Sequence, residues 1–129
     1  MNAILERAKA HYEALPRREV LVPEWGADGN PLKVTWSKLT VREEERIYEP
    51  VDGRPAPSGI VRLRTVILKA CGEDGKRLFD EMAEHALRYE VDAEIVGRIA
   101  NAILFGAGLI EKNGQDKGAA GVIAAAKNA

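Results

Sequence analysis

A few side chains in this sequence belong to the types that do chemistry. Cys71 is the lone cysteine, and the two histidines are His11 and His85. A thiol beside an imidazole is a nucleophile pair. A metal site would need these residues at ligand spacing, and neither histidine has a partner at zinc spacing. The stretch "CGEDGKRLFDE", residues 71–81, runs through two glycines into a lysine. A phosphate cradle needs G-x-x-x-x-G-K-[ST]. Here only two residues separate Gly72 from Gly75, and Arg77 stands where the magnesium-binding hydroxyl belongs. A calcium loop needs alternating carboxylates and a distant glutamate, and that spacing is missing too. The segment therefore reads as a turn, with Gly72 closing a helix in a left-handed cap and Asp74-Gly75 reversing the chain. "REEERIYE" supplies a run of carboxylates, but Arg42 and Arg46 are interleaved with them, as on a solvated helix face. No catalytic residue, metal or cofactor is expected.

Composition narrows the classes further. The chain has 129 residues, 46% hydrophobic and 30% charged, the make-up of one globular domain. Nineteen basic residues face twenty acidic ones, and both halves of the chain are balanced. No strong field exists to gather nucleic acid or an anionic membrane surface. One cysteine rules out an intramolecular disulfide. The N-terminus has no signal-peptide core, and the most apolar run, Ile95 to Ile110, contains Arg98 and falls short of a membrane span. A cytoplasmic location is expected.

The elements follow from periodicity. Ile4, Ala8, Tyr12 and Leu15 recur at helical spacing, and Pro16 ends that helix. Leu32, Val34 and Trp36 alternate with polar residues as a half-buried strand does. "REVLVPEW" is its partner strand, with Asp28-Gly29 as the turn between them and Pro23 confined to an edge or a bulge. Thr40 and Glu43 fit a capping box, and "PVDGRPAPS" is a linker. A helix follows from Ser58. Another starts near Asp80 and buries Met82, Ala83, Ala86 and Leu87. Asp92 caps a longer helix. The expected fold is mainly α: a small helical domain of about four to five helices with one two-stranded antiparallel β-hairpin near the N-terminus. Residues 1–111 are expected to form a single domain with the hairpin near 19–37, and 112–129 a flexible Gly/Ala-rich tail.

The last helix carries most of the binding information. Ile95, Ile99, Ala102, Ile103 and Leu109 share one face, Leu104 falls almost opposite, and Phe105 sits at the edge of the stripe. A helix apolar beyond one stripe is buried on more than one side. The second side belongs either to the hairpin and first helix or to another chain, self-association included. Trp25 and Trp36 flank the hairpin and either pack beneath it or edge a binding surface. The candidate partner-binding residues are Ile99, Ile103, Leu104, Phe105, Leu109 and Trp25.

The pieces "TVREEERI", "ILKACGEDGKRLF" and "IVGRIANAIL", in that order, resemble the tail assembly chaperones of long-tailed bacteriophages and prophages. The resemblance extends roughly from Val20 to Ile110. It implies a non-catalytic factor of the bacterial host cytoplasm that binds the tape measure protein, keeps it soluble and recruits tail tube protein around it. It also implies absence from the finished particle. Many members have a longer form made by programmed frameshifting, and Glu111-Lys112-Asn113 and Ala126-Lys127-Asn128 are compatible with slippery codons. The alternative is a structural head–tail connector or tail completion protein that stays in the virion.

Overall fold

A computed structural model describes residues 2–106. The described chain is mainly α, with five helices and one two-stranded antiparallel sheet. The order is α1 (Ala3–Ala14), β1 (Arg18–Ala27), β2 (Asn30–Trp36), α2 (Val41–Ile47), α3 (Ser58–Lys69), α4 (Glu84–Tyr89) and α5 (Ala93–Phe105).

Local chemistry sets the boundaries. The Asn2 side chain accepts from the Ile4 and Leu5 amides and starts α1. Between the strands, Asp28 and Gly29 have φ of 54° and 78°, the paired left-handed values of a tight hairpin turn. Val20 pairs with Val34 and Val22 with Leu32, but the register shifts between Val22 and Ala27. The irregularity begins at Pro23, which has no amide to give to a ladder. A Cβ on Gly26 would lie 1.9 Å from the Asn30 carbonyl oxygen, so only glycine permits this close approach. Thr40 and Glu43 form the expected capping box at α2. Asp92 caps α5, and Gly106 closes it in the left-handed conformation with φ 76°.

The hairpin lays Val20, Val22, Val34 and Trp36 on a layer made chiefly by α3 and α5. Val66, Ile67 and Leu63 of α3 meet Ile95, Val96, Ile99 and Ile103 of α5 in that core. Burying each such side chain contributes about 1.5–3 kcal/mol, so this one cluster is the main favourable term.

Two details depart from expectation. Gly72 does not cap a helix. α3 ends at Lys69, and the Arg77 guanidinium takes over the capping role by donating to the Ile67 carbonyl at 2.6 and 3.0 Å. The left-handed residue in this loop is Gly75, with φ 80°. The helix expected from Asp80 begins instead as a single 3₁₀ turn, Glu81–Ala83, before α4. That change of pitch rotates Met82 out to 88% exposure and leaves Ala86 exposed, while Leu87 stays in the core and Ala83 packs at its edge.

Candidate binding surface

Cys71, His11 and His85 stand in three separate places. Cys71 is half-buried, and its thiol donates to the Lys69 carbonyl at 3.4 Å. His85 lies on the exposed side of α4 against Tyr89, with Glu90 at 3.9 Å. His11 is exposed on α1. No group of three metal-ligating residues occurs among the described residues.

The glycine loop is closed to a phosphate for a concrete reason. Four of its amides already have acceptors: Gly72 donates to the Lys76 carbonyl, Gly75 to the Gly72 carbonyl, Lys76 to Asp74 Oδ1 and Leu78 to the Ala70 carbonyl. A cradle needs those donors free. A cleft of about 280 Å³ lies between α3, α4 and α5, lined by Ile60, Leu63, Leu87 and Val96. Its charged members are Arg62 and Arg88, and a guanidinium does not trade protons near neutrality.

The carboxylate run of α2 has a structural use. Lys69 is only 5% exposed, and its Nζ reaches both oxygens of Glu43 at 3.0 and 3.1 Å and Ser37 Oγ at 2.9 Å. The ammonium thus ties α3 to the start of α2 and the end of the hairpin. Arg98 of α5 holds Glu24 of β1 with paired contacts of 2.7 Å. That hydrogen bond, aided by a backbone donor, pulls the Glu24 carboxyl down to about 2. Both pairs staple elements together.

The informative feature is apolar and lies outside the core. All of α1 is solvent-exposed, with no buried residue. Ile4 is 63% exposed, Leu5 51% and Tyr12 36%. The one hydrogen bond from an α1 side chain to the rest of the described fold runs from the Tyr12 hydroxyl to the Lys38 carbonyl, at 2.7 Å. It sets the last turn of α1 beside the segment that leads into α2, whose first residue, Val41, is also exposed. A helix of twelve residues is marginal in water without a packed face.

The sequence-predicted contact residues divide three ways. Ile99 and Ile103 lie in the core, fully buried or nearly so, because α3 and the hairpin cover that stripe; they are removed from the candidate surface. Leu104 is half-buried and Phe105 is 57% exposed at the end of α5. Trp36 is buried, whereas Trp25 is half-buried and meets Phe79 edge-on with ring centroids 6.3 Å apart. Leu109 lies outside the described residues. Sequence reasoning missed Ile4 and Leu5 as surface groups, since their helical spacing alone suggests burial. Leu15 is already extended, and residues 15–17 lead directly into β1.

No helix among the described residues is long and apolar enough to cross a membrane. Comparison of the chain with protein-family models, characterised proteins and solved structures returns no match.

Proposed function

We propose that this protein is a non-catalytic assembly factor that covers an amphipathic helical segment of a partner, in the manner of a phage tail assembly chaperone acting on a tape measure protein in the host cytoplasm. The observation that carries the reading is α1, a twelve-residue helix with no buried residue and with Ile4, Leu5 and Tyr12 uncovered. Such a helix gains stability when a second apolar stripe lies along it. Phe105 offers a further anchor at the end of α5. A long helical partner has the complementary need, since a continuous apolar stripe left in water aggregates. The order of "TVREEERI", "ILKACGEDGKRLF" and "IVGRIANAIL" favours this assignment over other helix-binding roles.

Co-expression with the candidate tape measure protein tests it. The expected result is a soluble complex that co-purifies with the wild-type chain, and loss of that complex with Ile4→Asp/Leu5→Asp. An insoluble tape measure protein in the presence of the wild-type chain would count against the reading. So would recovery of the chain at stoichiometric level in finished particles, which fits a connector instead.

A further inference from the structure

The geometry points to a second copy of this chain as the occupant of the free edge of β1. Backbone hydrogen bonds locate that edge. Thr35 exchanges both of its backbone bonds with Cys71, at 2.8 and 2.9 Å, on the side of β2 turned away from β1. Glu19 is the residue opposite Thr35, so this pair exchanges no bond inside the hairpin. Antiparallel ladders alternate between bonded and non-bonded pairs. The amide and carbonyl of Glu19 therefore face away from β2, and those of Leu21 do the same. Among the described residues, neither makes a backbone bond to a segment outside the hairpin. Both side chains are exposed, Leu21 by 43%. An open row of donors and acceptors is a template for another strand, and a two-stranded sheet gains from one.

Pro23 limits what fits. It presents a carbonyl and no amide, so an incoming strand must bring a donor to that position. An antiparallel second β1 with the symmetry axis at Leu21 does this. Each Leu21 exchanges its amide and carbonyl with the other, and the Glu19 amide of one copy donates to the Pro23 carbonyl of the other. Side chains match in the same register. On the outer face Leu21 meets Leu21 and Glu19 meets Pro23, so no like charges oppose. On the core side Val20 meets Val22. The contact is isologous and closes as a dimer. Because the regular part of β1 ends at Val22, the shared ladder is short and the dimer forms reversibly with concentration. No residue of α1 enters the paired register, so the inference stands apart from the identity of any helical partner.

Sedimentation equilibrium of the full chain, from low micromolar to submillimolar concentration, reads the association. The mass is expected to rise from 14.1 kDa toward twice that value. Leu21→Lys puts like charges on the axis at an exposed position and is expected to weaken the dimer at least ~tenfold. Leu21→Pro removes an amide that the hairpin itself does not use, and is expected to act in the same direction. Should the proline variant lose its fold by circular dichroism, Leu21→Lys and hydrogen exchange decide. The Glu19 and Leu21 amides are expected to gain protection with concentration in the wild type and not in Leu21→Lys. A chain that sediments at 14.1 kDa throughout overturns the proposal and makes Pro23 an edge-protecting residue. A dimer indifferent to Leu21→Lys, with both amides exchanging freely, overturns it equally.

Discussion

Replacing Glu43 by glutamine removes one charge and turns one of the two oxygens that accept from Lys69 into an N–H donor. The glutamine carbonyl still accepts from the Thr40 amide, so the capping box at α2 survives. What is lost is the counter-charge of Lys69, whose side chain is 5% exposed against 26% for Glu43. Stranding one member of a buried ion pair costs about 3–5 kcal/mol. The partial exposure of Glu43 lets water reach the ammonium, which lowers the expected cost to roughly 2–3 kcal/mol. With an m-value near ~1.3 kcal/mol/M, that lowers the urea midpoint by about 2 M. Trp36, buried at the junction of hairpin and helices, reports the transition by fluorescence. Lys69→Met is expected to stay within about 1 kcal/mol of wild type, because it removes the buried charge instead of isolating it. The double variant should recover most of the loss in Glu43→Gln. A Glu43→Gln protein within ~0.5 kcal/mol of wild type would refute the argument, as would a Lys69→Met protein as unstable as Glu43→Gln.

Two other outcomes follow from the same packing. Ile99→Ala should destabilise the fold by about 2–5 kcal/mol, because Ile99 is wholly buried, whereas Phe105→Ala should change it by less than ~0.5 kcal/mol; urea unfolding of both variants checks the division of α5 into core and surface. The Glu24 carboxyl, held by Arg98, should titrate at about 2 in the folded protein and return toward its ordinary 4.5 in Arg98→Met, as followed by NMR. Its pKa is depressed on folding, so the stability it contributes is present above pH 4.5 and is lost as pH falls toward about 2.

The parts of this fold visible in the sequence are those fixed by neighbours along the chain. The strand through Leu32, Val34 and Trp36, the turn at Asp28-Gly29, the capping box at Thr40 and the cap at Asp92 are all local, and all are present, although Thr35, expected on the polar face, is buried where it pairs with Cys71. What escaped the sequence depends on residues distant along the chain. The Lys69–Glu43 and Arg98–Glu24 pairs join elements whose approach no spacing rule gives. Met82 looked buried because helical period was extended through a 3₁₀ turn. Ile99 and Ile103 fall in the core and not on the surface for a related reason. Periodicity says that a helix has an apolar stripe and does not say what covers it. Among the described residues, the stripe of α5 through Ile99 and Ile103 is covered and that of α1 through Ile4 is exposed. The empty phosphate motif was legible from spacing alone, and the engaged amides of the 72–78 loop supply the physical reason.

The most direct test of the account is a binding titration of a soluble helical fragment of the tape measure protein against the wild-type chain and Ile4→Asp/Leu5→Asp. The account predicts saturable binding to the wild type, weakened at least ~tenfold by the double substitution, with circular dichroism and urea midpoint unchanged because neither residue is buried. Equal affinity for the two proteins would contradict it.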